Sequence, residues 1–432
     1  MSAVYQANSP HPIFKETLTN GLTLMIVLRK GLVKKAAFWA VPFGSLHLKL
    51  NIAGQEEILP AGVAHFLEHQ LFRQADGSSI SDAFAELGLQ DNAYTSYNQT
   101  GYTFSGSDNF EAGLDLLLRF TADPNFTEES VANERDIINQ EILMYRDFPE
   151  TSLDMNLRRL LFQDSAAAQD IAGDAESIAQ ITPELLQRCH QAFYHPQNAV
   201  LVLVGDFEPA KIIEQIESTY TSLPEPAQAS KPQAEVNIGL PFGQEAQIEE
   251  RCARPIVALA FKDIDPQGSP LELFTRQIEN ELLLELLIGQ ATENYWRLFS
   301  ASLVNHAIQI DCQNYPGFAY TGCAVESEQP DLLLQELATI LVPEALEKVS
   351  EDELENLKRR LTGLYINSYD SFGNLARELA GQHLANCDYR YFPEILAAID
   401  LPTLKRRAQV TFKPNQKVSV IMNPKAQNTA TS

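Results

Sequence analysis

The chain has 432 residues, 45% hydrophobic and 21% charged, the balance of a water-soluble globular protein with enough length for two or more domains. Its formal net charge of −25 and pI of about 4.7 give a surface that repels phosphate backbones, so nucleic acid is excluded as an expected partner. Cys189, Cys252, Cys312, Cys323 and Cys387 are scattered and never paired as Cys-x-x-Cys, which excludes a cysteine-based zinc site and predicts reduced thiols. With no signal-type apolar core and no apolar run near ~18 residues, a cytoplasmic location and no membrane partner are expected.

In chain order, residues 1–12 read as a loose polar leader. Phe14 to Val27 alternates on either side of Asn20-Gly21, a hairpin signal, and Ala36 to Phe43 is a further strand. After Pro60-Ala61-Gly62 comes Ala64-His65-Phe66-Leu67-Glu68-His69-Gln70-Leu71-Phe72, a helical run containing His-x-x-Glu-His. On a helix, His65 and His69 project from one face with Glu68 beside them. Two imidazoles can hold a metal, and the flanking carboxylate can take a proton from water. Two unrelated histidines falling together by chance is the competing reading.

Ser79 to Leu87 reads as a short helix ending near Gly88. Asp91 to Ser105 is rich in Tyr and Thr and reads as strands broken by a turn or edge. Helices are expected at Asn109 to Phe120 (with Asp108 or Asn109 as N-cap), Thr127 to Phe148, Leu153 to Phe162 and Pro183 to Phe193. A buried strand is expected at Ala199 to Val204, and the helix Pro209 to Tyr220 ends the first half. Proline-rich residues 223–235 form a linker, separating a metal-binding domain at 1–222 from a second domain at 236–432.

The second half repeats the first. Ile181 to Val204 matches Ile399 to Met422 at a constant offset of 218, with Leu186 on Leu404, Pro196 on Pro414 and Val202 on Val420. At that offset His65 falls on Leu283 and His69 on Leu287, so only the first half has the metal motif. A catalytic zinc takes three protein ligands and keeps a position open. The best region for the third is Glu134 to Tyr145, where Glu134 and Glu141, seven residues apart, share a helix face. Solvated helix charges are the commoner fate of such residues.

His65-x-x-Glu68-His69 followed by Glu134-Arg135-Asp136-Ile137-Ile138-Asn139-Gln140-Glu141-Ile142 resembles the inverzincin metallopeptidases of family M16, related to pitrilysin, insulysin and mitochondrial processing peptidase. The likeness extends to Asn92-Ala93-x-Thr95, Thr100-x-Tyr102 and Phe193-Tyr194-x-Pro196-x-Asn198, and it is strongest to the short bacterial branch. It implies an α+β fold. Each half would be a mixed, mostly antiparallel sheet with helices on one face, and the two halves would close like a clamshell. It implies a zinc metallopeptidase, with His65, His69 and Glu141 on zinc, Glu68 as general base and Glu134 orienting a ligand. Asn92 and Ala93 would receive an extended peptide substrate by strand addition.

Relatives also carry an Arg and a Tyr in the second half. Here Phe299 stands at the Arg position and His306 or Ala307 at the Tyr position, with Arg297 two residues early. The resemblance therefore implies a dimer, with itself or with a related subunit that supplies these groups. The alternatives are a non-catalytic subunit of the same fold and a maturation factor that processes one partner.

Overall fold

In this computed structural model the described residues are 3–4 and 11–425, apart from 53–54, 75–76, 164, 225–228 and 236. Part of the leader and part of the linker therefore lie outside them. The chain divides into two compact units that are not sequential halves. The first comprises Met1–Ile142, Asp170–Glu235 and Gly363–Pro393; the second comprises Leu143–Gln169, Val236–Thr362 and Glu394–Ser432.

The first unit is built on a seven-stranded sheet. Its order is Ala3–Val4, Ile13–Thr17, Thr23–Leu28, Val200–Gly205, Lys35–Val41, Thr100–Gly106 and Gln90–Thr95. Every neighbouring pair is antiparallel except Thr23–Leu28 with Val200–Gly205. The strand Val200–Gly205 is buried along its whole length, which explains its unbroken apolar run: a strand covered on both faces has no polar side to alternate with. Gly21 has φ 91° at the hairpin bend, a backbone region open to glycine.

The second unit's sheet runs Glu245–Glu250, Lys417–Pro424, Ile256–Lys262, Phe318–Glu326 and Gln309–Tyr315. Its one parallel pair is Glu245–Glu250 with Lys417–Pro424, in the place equivalent to the parallel pair of the first sheet. The repeat is visible element by element. Helix Pro183–Phe193 matches Leu401–Thr411, the 3-10 turn Pro196–Asn198 matches Pro414–Gln416, and each leads into the strand that joins the parallel pair. Helix Pro270–Ile288 buries Leu283 and Leu287 in its own unit, where the first half carries His65 and His69.

The α+β class stands. Within its unit the first sheet is covered on both faces, the second face by a helix from the other half of the sequence. Phe38, Val200, Val202 and Val204 pack on Tyr369, Phe372, Leu375 and Leu379, while Trp39, Leu201 and Leu203 face the opposite core. The covering helix, Phe372–Leu384, comes from late in the chain. In the second unit, Phe162 of helix Pro149–Phe162 lies against Phe318 and Tyr320 and under the Lys262 ammonium. Phe412 meets Phe261 on the other face. The two helices occupy equivalent places in the repeat, yet each belongs to the unit built from the other half of the sequence. Helix Phe110–Ala122 also differs in detail: Asn109 sits at its N-cap at φ 55° without capping, and its amide instead donates to Leu87 O at 2.9 Å.

Candidate metal centre

The helix Val63–Leu71 has only nine residues and no side-chain cap, so packing rather than propensity holds it. Val63, Ala64, Phe66, Leu67 and Leu71 are buried in the first unit's core, which turns His65 and His69 out to the other side. Its entry depends on glycine. Gly62 has φ 86°, and a Cβ there would stand 2.4 Å from Ala172 O; Gly173 has φ 75°, and its Cβ would stand 2.5 Å from Ala61 O. We expect Gly62→Ala to destabilise the protein by about 2–4 kcal/mol, the left-handed penalty plus a backbone collision. Urea unfolding measures this; a loss below about 0.5 kcal/mol would mean the two loops do not constrain the helix.

The second helix, Glu128–Arg146, buries Val131, Glu134, Ile138 and Ile142, a core stripe at helical spacing with one carboxylate in it. Thr127 and Ser130 cap its start reciprocally, each hydroxyl accepting the other's backbone N–H at 3.1 Å. Gln70 ties the two helices together, donating to Ser130 O and accepting from Ser130 Oγ, both at 3.0 Å.

At the junction, Glu141 Oε2 lies 3.4 Å from His69 Nε2 and 3.8 Å from His65 Nε2, and the imidazole centroids are 4.5 Å apart. Ligand atoms 2.0–2.1 Å from a tetrahedral zinc sit about 3.3–3.5 Å from one another, so these separations suit a zinc ion. Glu141 Oε2 is buried and has no hydrogen-bond partner among the described residues, the condition of an atom whose partner is a cation. His65, His69 and Glu141 are also the one group of three potential ligands found together among the described residues. Burial and the neighbouring His69 pull the His65 pKa down to about 3, leaving a neutral imidazole with a lone pair to give. For His69, burial opposes protonation, but Glu134, Glu68 and Glu141 outweigh it and raise the pKa. The negative surroundings that favour a proton there favour a metal cation equally. The donor set therefore fits the implied zinc.

Glu134 serves His69 from behind. Its Oε1 accepts from His69 Nδ1 at 2.9 Å and its Oε2 accepts from Arg73 Nε at 2.9 Å. Because a carboxylate only accepts, the hydrogen sits on Nδ1 and Nε2 faces Glu141. Burial would raise the Glu134 pKa, but His69 and Arg73 together bring it below the ordinary value. Glu68 is buried, its Oε2 accepts from Thr95 Oγ1 at 2.5 Å, and burial pushes its carboxyl up to about 7 against that bond.

Asn92 and Ala93 lie in Gln90–Thr95, an edge strand of the first sheet that, among the described residues, pairs only with Thr100–Gly106. Asn92 Oδ1 accepts from the Ala93 N–H at 2.9 Å, so a local side chain occupies that edge donor. In the second unit, Phe299 is half exposed, Arg297 is paired with Glu336 at 2.6 Å and His306 Nδ1 lies 3.0 Å from Ala307 O. Sequence reasoning assigned no role to Thr95 or Arg73. Arg73 repeats the four-residue step of His65 and His69, which was the available signal; nothing local marked Thr95 as a partner of Glu68.

Residues 54–175 match the family described as Insulinase (Peptidase family M16), and residues 180–361 match the one described as Peptidase M16 inactive domain. The chain is 30% identical over 413 residues to the Bacillus subtilis (strain 168) protein named "Uncharacterized zinc protease YmfH", spanning 94% of this chain and 92% of that one. It is 24% identical over 348 residues to an "Uncharacterized zinc protease" of Rickettsia felis, covering 78% and 81% of the two. A solved structure titled "Crystal structure of putative M16-like peptidase from Alicyclobacillus acidocaldarius" matches with TM-score 0.90 at 26% identity, over 96% of this chain and 99% of that one. No described helix is long and apolar enough to cross a membrane. With the fold, the donor set and these likenesses in agreement, the chain belongs to peptidase family M16.

Proposed function

We propose that this chain is a zinc-dependent endopeptidase acting on short or unfolded peptides. The observation that carries the reading is the meeting of His65 Nε2, His69 Nε2 and Glu141 Oε2, with the Glu68 carboxylate held beside them by Thr95. Zinc bound there supplies Lewis acidity, acidifying a water and polarising a peptide carbonyl. Glu68 takes the proton of the attacking water at a carboxylate oxygen and returns it to the leaving amine. Thr95 holds Glu68 at one oxygen and leaves the other free for that transfer. Glu134 fixes the His69 ring, and Arg73 in turn fixes Glu134. The outer edge of Gln90–Thr95 receives the substrate backbone as an added strand, the Asn92 side chain giving up the Ala93 N–H to it, so selection by backbone alone is loose.

A second reading rests on what the family resemblance implies: Phe299 stands at the position of an Arg and His306 or Ala307 at that of a Tyr. On that reading a second chain, identical or related, completes the site, or the protein serves as a non-catalytic or maturation subunit. The test uses the purified chain, equimolar zinc and an unstructured peptide of about 20 residues, read by mass spectrometry over a range of protein concentrations. Hydrolysis abolished by a chelator and restored by zinc is expected. Specific activity that rises with concentration identifies a dimer as the active form. Zinc-loaded protein that leaves the peptide intact at every concentration overturns the peptidase reading.

A further inference from the structure

Apart from the metal centre, the first unit holds a cavity of about 280 Å³, room for a molecule of about ten heavy atoms. None of His65, Glu68, His69, Thr95, Glu134 or Glu141 lines it. Its floor is buried and includes Trp39, His190 and Tyr194; its rim is exposed and includes Asp123 and Gln191.

Three helices end at this cavity. Phe110–Ala122 brings Thr121 and Ala122, Pro183–Phe193 brings His190 and Gln191, and Pro209–Thr221 brings Tyr220. A helix C-terminus carries about half a negative charge, so three of them converging make a negative end. The Asp123 carboxylate, which has no ion-pair partner among the described residues, adds a full charge at the rim. No described Lys or Arg lines the cavity to offset this. Its histidines do not offset it either. Burial brings the His190 pKa down to about 4, although its Nε2 donates to Thr121 O at 2.8 Å, and burial lowers that of His195. In a chain of net charge −25, such a space refuses anions and draws in a cation.

The remaining walls say what kind of cation. Trp39 stacks on Tyr194 with centroids 5.6 Å apart, and Tyr194 stacks on His190 at 5.1 Å, an aromatic floor suited to an unsaturated body rather than a hydrated metal ion. The Trp39 indole N–H is buried without a hydrogen bond among the described residues; the Tyr220 hydroxyl is near enough to sense it but not in bonding geometry. A buried donor left unmatched calls for an acceptor oxygen on the occupant.

We propose that this cavity binds a small aromatic ammonium ion carrying a hydroxyl oxygen. The ammonium lies toward the three helix ends and Asp123, the ring lies on Trp39 and Tyr194, and the oxygen accepts from the Trp39 N–H. The site shares no residue with the metal centre and stands independently of the peptidase reading.

The experiment titrates the zinc-loaded full chain with tyramine, by calorimetry and by tryptophan emission. The chain has two tryptophans, and Trp296→Phe leaves Trp39 as the sole reporter. One tyramine per chain is expected, with a saturable change in Trp39 emission. Its affinity should be at least about tenfold higher than that of para-cresol, which lacks the charge, or para-hydroxyphenylacetate, which reverses it. Asp123→Asn and Gln191→Lys, both on the exposed rim, should each weaken tyramine by about tenfold with zinc content unchanged. Absence of saturable binding up to about 10 mM overturns the site. Equal affinities for the three probes overturn the cation assignment. Tyramine binding that neither rim substitution weakens places the ligand elsewhere and also overturns the proposal. None of these readouts depends on peptide hydrolysis, so a chain that cuts nothing is tested equally well.

Discussion

Glu68→Gln is expected to lower peptide hydrolysis by about a thousandfold while leaving one zinc per chain. The substitution keeps the shape of the side chain and its capacity to accept from Thr95 Oγ1, so the buried pocket stays filled and the helix stays seated. What it removes is the basic carboxylate oxygen that takes the proton of the attacking water. Glu68 is not among the three groups that converge on one point, so metal content should not follow activity down. Hydrolysis and zinc, measured on the same preparation, separate the two. Activity within about tenfold of wild type would remove Glu68 from the chemistry. Equal loss of zinc and activity would make it a ligand instead.

The second large effect concerns the two carboxylates of the helix Glu128–Arg146. Glu141→Gln removes a charged donor from a three-ligand set and is expected to abolish stoichiometric zinc at micromolar concentrations. Glu134→Gln leaves all three donors and should weaken zinc by about 10–100-fold, the usual consequence of losing the group behind a ligating imidazole. The reason for the smaller loss is visible in the geometry. Glu134 binds Nδ1 of His69, on the far side of the ring from the metal face, and its own charge is shared with Arg73. Competition against a chromogenic chelator gives both affinities. Equal effects of the two substitutions would contradict this division of labour.

Much of this arrangement is a consequence of short-range periodicity. His65, Glu68 and His69 are placed together by the pitch of a single helix turn, and the apolar residues between them, Phe66 and Leu67, decide which side faces the core. The repeat between the two halves is likewise written locally, as an aromatic-x-Pro break between a helix and a buried strand at a fixed offset. Those patterns are legible because each is set by neighbours within a few residues.

Periodicity alone left other features open. It put Glu134 and Glu141 on one helix face without saying which would meet an imidazole nitrogen from the front and which from behind. The packing of two helices through Gln70 and Ser130 decides that. It gave Glu68 no neighbour, since Thr95 reaches it from a strand 27 residues away. It assigned no helix to a sheet, and Pro149–Phe162 and Phe372–Leu384 lie in units built from the opposite half. A helix with an apolar stripe carries no label for the sheet it will cover. The sequence by itself therefore determined the ligand-bearing turn, the duplicated architecture and the acidic character of the chain. Tertiary structure alone decided which carboxylate faces which nitrogen, what steadies the base and which helices close each sheet, because those depend on contacts between segments that share no local pattern.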